Sequence, residues 1–234
     1  DFRGGISRVS IALQIASTTQ NYNIYANRGG TYSAGISDVV LTVQAIVGSA
    51  GTGQYAIDTG NQWASGDTVK IINNSQIVGA GGEGGDGGTP GAALGGQDGA
   101  SAGSAINLGI DTTIQNNGGF IRGGGGGGGG GGSGTATYPD GMKGSISQGG
   151  QGGSGGGGAG QNGGNGGANR QNAVSAQSQP GQAGSISGPG NGGAGFTDSE
   201  ITGCDGGQGG GFGQAGQAGE DIVFTGVPQS TQNY

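Results

Sequence analysis

The residues of this chain best equipped for chemistry are few and scattered. Cys204 stands beside Asp205, but the 234 residues include no histidine. No imidazole can therefore take up the thiol proton or hold a metal, and a single cysteine excludes an intrachain disulfide. The fourteen carboxylates and the hydroxyls form no convergent constellation, so catalysis is not expected. Gly79-x-Gly81-x-x-Gly84 fits a dinucleotide fingerprint, but no βαβ pattern surrounds it and dense glycine produces such matches by chance. Gly-Lys-Ser/Thr does not occur, which excludes a phosphate loop. Gly81-Gly82-Glu83-Gly84-Gly85-Asp86 opens like a calcium β-roll nonapeptide, yet Gly88 fills its apolar position and no tandem copies follow. Asn73-Asn74-Ser75 fits a glycosylation sequon but falls in an expected turn. The chain does not read as an enzyme, and no metal or cofactor is expected.

What remains is dominated by glycine, which supplies 68 residues, while charged residues make up 9%. A net charge of −7 argues against binding a nucleic-acid backbone, which needs clustered Lys and Arg. No apolar run approaches the roughly 20 residues that cross a bilayer, so membrane insertion is not expected. No signal peptide opens the chain; Asp1 in first place predicts a processed product or part of a longer chain. Composition alone favours flexible low complexity, because glycine loses the most backbone entropy on folding. Five prolines cannot supply a collagen repeat.

Placement along the chain points the other way. Residues 1–78 hold ten glycines and residues 79–234 the other 58. The first part is neutral and the second carries the whole net charge, which marks a boundary near residue 78. Val9, Ile11, Leu13 and Ile15 alternate with polar or small residues, and Tyr22, Ile24 and Ala26 continue a period of two. The run from Asp38 to Val47 is β-branched and reads as one buried strand. Trp63 is expected to cover a core edge. No window keeps helical apolar spacing. Asp67–Val78 and Asp111–Arg122 then repeat one pattern: a strand, an Asn-Asn pair, and an apolar pair (Ile77-Val78, Phe120-Ile121) running toward glycine. The Asn pairs lie 43 positions apart, and asparagine tolerates the backbone of tight turns.

Glycine concentrates in blocks at 79–88, 123–132, 149–160 and 206–219. In 207–219 every third residue is glycine, the period of a polyproline-II helix. Such helices have no internal hydrogen bonds. Where side chains are absent they can approach closely enough to bond one another, which satisfies the backbone without an apolar core. The expected fold is therefore a β-rich part over 1–66 followed by a bundle of glycine-rich polyproline-II helices over 67–234, with essentially no α-helix. The run Gly123, Gly124, Gly125, Gly126, Gly127, Gly128, Gly129, Gly130, Gly131, Gly132 is the purest piece of that scaffold.

Ile114-Gln115-Asn116-Asn117-Gly118-Gly119-Phe120-Ile121 followed by Gly123–Gly132 resembles the glycine-rich distal adhesin of T-even-like phage tail fibres. Residues 9–88 are similar to glycine-rich receptor-binding ends of lambda-like central tail fibres. The resemblance covers roughly residues 20–226. It implies a polyglycine-II sandwich at the tip of a virion tail fibre, displaying loops that bind a bacterial outer-membrane protein or surface glycan. The 1–66 part is expected to be fibre-proximal and to join the rest of the fibre. If 1–66 continues a fibre, strand 39–47 as an edge could pair between chains in a homotrimer. Recognition is expected where side chains return between glycine blocks. The candidates are 133–148 (Tyr138, Pro139, Asp140, Met142, Lys143), 168–187 (Arg170, Val174, Pro180) and 196–205 (Phe196, Asp198, Glu200, Ile201), with 89–105 a weaker fourth. Two other readings stay open: an ice-binding polyproline-II protein and a structural glycine-rich wall protein.

Overall fold

The computed structural model describes residues 7–88, 96–131, 155–167, 179–195 and 206–219. The chain divides into a β unit, residues 1–80 with 103–123, and a glycine unit, residues 81–102 with 124–234.

The β unit is a coil whose successive turns stack. The first turn holds β1 (Val9–Ile15), β2 (Thr19–Gln20) and β3 (Tyr22–Asn23), followed by a single helical turn, α1 (Ile24–Asn27). The second holds β4 (Ser37–Val43), β5 (Val47–Gly48) and β6 (Ile57–Asp58). The third holds β7 (Thr68–Asn73), β8 (Gln76–Val78) and β9 (Ile106–Asn107), and a fourth begins with β10 (Thr112–Asn116) and β11 (Phe120–Arg122). Corresponding strands build three sheets, ordered β1-β4-β7-β10, β2-β5-β8-β11 and β3-β6-β9. Every pairing of named strands is parallel. The period-two pattern is what makes this work, because each inward residue stacks on its counterpart in the next turn. Leu13 pairs with Leu41, Leu41 with Ile71, and Ile71 with Ile114. Leu41 and Ile71 are fully buried between neighbouring turns, whereas Ile114, in the last turn, is 39% exposed.

Two expectations about strands need correction. The run 38–47 is not one edge strand. It is cut at Gln44–Ile46 into β4 and β5, which lie inside different sheets with a partner on each side. Neither has a free edge for pairing between chains. The corner is held by the Gln44 N–H donating to the Ile15 carbonyl (2.9 Å) and by the Gln14 and Gln44 side chains, which bond each other. The alternation from Tyr22 to Ala26 also stops early. Asn23 Oδ1 accepts the Ala26 N–H (2.8 Å), a helix cap that turns the chain out of the strand.

The repeated Asn-Asn units are coil corners rather than hairpins. Each turn passes the chain from one sheet to the next, so 67–78 and 111–122 belong to the β unit and not to the glycine scaffold. Asn73 and Asn116 are register partners, and their spacing of 43 in sequence is the length of that coil with its insertion. Asn73 is fully buried and its amide is fully used. It donates to Asn116 Oδ1 (2.8 Å) and the Phe120 carbonyl (3.3 Å) and accepts the Ser75 N–H (3.2 Å). Asn117 Nδ2 donates in turn to Asn74 Oδ1 (3.1 Å). A buried amide satisfied in this way fixes the corner instead of weakening it.

Links from the third sheet back to the first are held by Asp67. Its carboxylate accepts the N–H groups of Gly35 (2.9 Å), Ser37 (3.0 Å) and Ala64 (2.9 Å) and the Tyr32 hydroxyl (2.7 Å). Above this clasp Tyr25, Tyr32 and Trp63 meet edge to face, with centroids 4.9–5.9 Å apart, and the Arg28 guanidinium lies 3.5 Å from the Tyr25 ring centroid. Trp63 packs against the core edge, as its sequence context suggests. Burial pushes the Asp67 carboxyl upward, but its four donors outweigh that and hold it below the ordinary aspartate range. A carboxylate with a depressed folded value contributes stability at higher pH and loses it as pH falls through that value. Thermal stability should therefore drop on acidification below about pH 3.9. Asp67→Asn should be less stable than the parent at neutral pH and lose less on acidification, as read by melting curves across pH.

Candidate functional site

The glycine unit contains no long strand or helix among its described residues. It is built from short extended segments cross-linked by backbone hydrogen bonds that recur every third residue. Segment 124–131 illustrates the rule. Gly125 and Gly128 donate to Ala159 and Gly156; Gly126 and Gly129 to Gln214 and Gln217; Gly127 and Gly130 to Ala100 and Gln97. Gly82, Gly85 and Gly88 donate to the carbonyls of Gly125, Gly128 and Gly131, and Gly207 and Gly210 to those of Gly129 and Gly126. Five segments thus surround this one, which satisfies its peptide groups without an apolar core.

Crowding explains the composition. A Cβ placed on Gly125, Gly127, Gly128 or Gly130 would lie within 3.0 Å of a backbone carbonyl in a neighbouring segment. Gly155, Gly156, Gly157 and Gly158 are blocked in the same way, and all four are buried. Outer segments carry side chains where they face solvent, as at Glu83, Gln97, Gln182, Gln208, Gln214 and Gln217. Segments 163–167, 179–185 and 190–194 are part of the same array, although the sequence reading assigned no glycine block there. The signal was present in the three-residue recurrence of Gly163-Gly166, Gly181-Gly184 and Gly190-Gly193.

Hydrogen-bond order also gives each segment a direction. Residue numbers rise together between 81–88 and 124–131, and between 124–131 and 214–219. They run oppositely between 124–131 and each of 96–102, 155–160 and 206–210. Segment 163–167 opposes 155–160, 179–185 runs with it, and 190–194 opposes 179–185. The chain therefore goes back and forth. Residues 88 and 96, 131 and 155, 167 and 179, and 195 and 206 all stand at one end of the unit. The turns at 160–163, 185–188 and 211–214 stand at the other.

The stretches joining the first set are 89–95, 132–154, 168–178 and 196–205. All the residues singled out for recognition except Pro180 fall in them: Tyr138, Pro139, Asp140, Met142 and Lys143; Arg170 and Val174; Phe196, Asp198, Glu200 and Ile201. These residues, and Gly132 of the scaffold run, lie outside the described residues. Two boundaries change. Residues 179–187 do not belong to the loop: Gln179 and Gln182 donate to Ala194 and Asn191, and Pro180 sits within that segment. Residues 96–102 likewise form a packed segment, and 103–105 return to the β unit.

This architecture defines a class of protein, one that combines a coiled β unit with a glycine scaffold whose described segments end together. The family model for the phage tail fibre adhesin Gp38 matches residues 10–233, and the chain belongs to that family, which places it on the tail fibre of a phage virion. The crystal structure of the gp37-gp38 adhesin tip complex of the bacteriophage S16 long tail fibre has the same fold, with a TM-score of 0.51 and 22% identity over 92% of this chain and 76% of that one. No curated protein matches.

Proposed function

We propose that this chain is the receptor-binding tip of its tail fibre, with the β unit fibre-proximal and the glycine unit presenting loops to the host. In this reading the extended segments are polyglycine-II helices; their three-residue hydrogen-bond period and the exclusion of Cβ atoms support it. Recognition belongs to 132–154, 168–178 and 196–205, through residues such as Tyr138, Met142, Arg170, Phe196 and Ile201. Exposed aromatic, apolar and arginine side chains anchor protein interfaces, and the ligand is an outer-membrane protein or surface glycan of the bacterium. One observation carries the proposal: the described segments flanking every one of these stretches end together. The S16 adhesin is in complex with gp37, which supports assembly of this chain with the rest of its fibre.

The test is exchange of 133–148 and 196–205, separately and together, for the corresponding stretches of a related phage. Host range should change while the melting temperature stays within a few degrees of the parent. Unaltered adsorption after both exchanges would sink the assignment of recognition to these loops.

A further inference from the structure

The sequence contains four Asn-Gly dipeptides, Asn117-Gly118, Asn162-Gly163, Asn165-Gly166 and Asn191-Gly192. This pair is prone to a spontaneous reaction, since a following glycine puts no side chain in the way of ring closure. The backbone nitrogen of the glycine attacks the asparagine side-chain carbonyl. A new C–N bond forms as the nitrogen gives up its proton, and the bond to Nδ2 breaks to release ammonia. Water then opens the resulting succinimide at either carbonyl, leaving aspartate or isoaspartate. Closure requires the asparagine to rotate about its Cα–C bond until the glycine nitrogen reaches Cγ, a near-attack geometry that a held backbone cannot adopt.

The structure separates the four sites. The carbonyls of Asn162, Asn165 and Asn191 accept the N–H groups of Gly81 (2.9 Å), Gly84 (2.8 Å) and Gln182 (2.9 Å). Each lies in the bonded array of the glycine unit, and rotation would break those bonds. Asn117 is different. It is exposed, just past the end of β10. Among the described residues, neither its carbonyl nor the Gly118 N–H holds a hydrogen bond. Gly118 has φ +81° and no atom within 4 Å of where its Cβ would stand, so the side of the residue that a side chain would fill is open. Gln115 Nε2 donates to Asn117 Oδ1 (3.0 Å), the oxygen on which negative charge develops during attack, and a donor aimed there lowers the barrier.

We propose that Asn117 is a self-modification site of this adhesin, converted through a succinimide to aspartate and isoaspartate, with Gln115 assisting as hydrogen-bond donor. The product loses the Nδ2 donor to Asn74, and the isoaspartyl form adds a backbone carbon at the corner between β10 and β11. Ageing of the protein begins at that corner.

Purified full-length chain held in mildly alkaline buffer, then digested and followed by mass spectrometry, tests this. Asn117 should convert several-fold faster than Asn162, Asn165 or Asn191, with isoaspartate as the major product. Gln115→Leu and the near-isosteric Gln115→Glu, each checked for an unchanged melting temperature, should slow conversion at Asn117 alone. Equal rates at the four sites, or a first conversion in the glycine unit, would overturn the selection of Asn117. Parental rates in both Gln115 variants would overturn the role of the donor.

Discussion

Alanine at Gly127 is expected to unfold the glycine unit, while alanine at Gly126, its neighbour in a run of ten identical residues, is expected to be close to neutral. The difference lies in what each Cβ meets. At Gly127 it would press within 3.0 Å of the Glu83 carbonyl carbon and oxygen and the Gly84 nitrogen. These are backbone atoms already held by their own hydrogen bonds, so they cannot yield without breaking the ladder. Overpacking in a rigid core costs about 1–3 kcal/mol, more where no neighbour can move, and Gly127→Ala should reach or exceed the upper figure. At Gly126 the nearest atom is the Gly216 nitrogen at 3.1 Å, in segment 214–219 with its exposed Gln214 and Gln217, so a shift of a few tenths of an ångström relieves the contact. The cost there is offset by the roughly 0.4–1 kcal/mol that alanine gains by restricting the unfolded chain. Thermal or urea unfolding of the two variants, with glycine amide exchange as a local probe, measures the contrast. Equal destabilisation of both would contradict the packing of segment 124–131 described above.

The second large effect is Leu41→Ala in the middle of the coil. Leu41 is fully buried and stacks between Leu13 and Ile71, so truncation leaves a cavity that turns above and below cannot fill. Such substitutions cost about 2–5 kcal/mol. Ile114→Ala removes a comparable side chain from the same column but at its exposed last position, and should cost less than half as much. Urea unfolding of the β unit reads both. A solenoid with independent turns would lose only local order from Leu41→Ala; stacking predicts loss of the unit as a whole.

Much of this fold can be read from the sequence because its signals are local. Alternation at 9–15 and 39–43 gives strands, since one face of a stacked strand must be apolar. The Asn73-Asn74 and Asn116-Asn117 pairs mark a repeated element without revealing what it does. A turn of that kind suits a hairpin as well as a coil corner, and only parallel register between Asn73 and Asn116 distinguishes them. Likewise the run 38–47 gives no local sign of its corner at Gln44, because the break is set by the Gln14 and Ile15 contacts of another turn. The residues proposed to touch a receptor follow from a simpler rule, that side chains reappear where glycine stops.

By itself, the sequence shows that the chain has no histidine and a single cysteine, that strand patterns precede glycine, and that glycine recurs in dense blocks. Tertiary structure decided which glycines are indispensable and which ends of the segments meet. Gly126 and Gly127 stand side by side in one all-glycine run, yet a Cβ on the first would meet the outer segment 214–219 at 3.1 Å and a Cβ on the second would press into the Glu83 carbonyl. Glycine carries no side chain to record its neighbours, so its environment is written in the backbone bonds of distant segments. Those bonds also give each segment its direction, and it is direction, invisible in a run of glycine, that brings the loop termini to a common end.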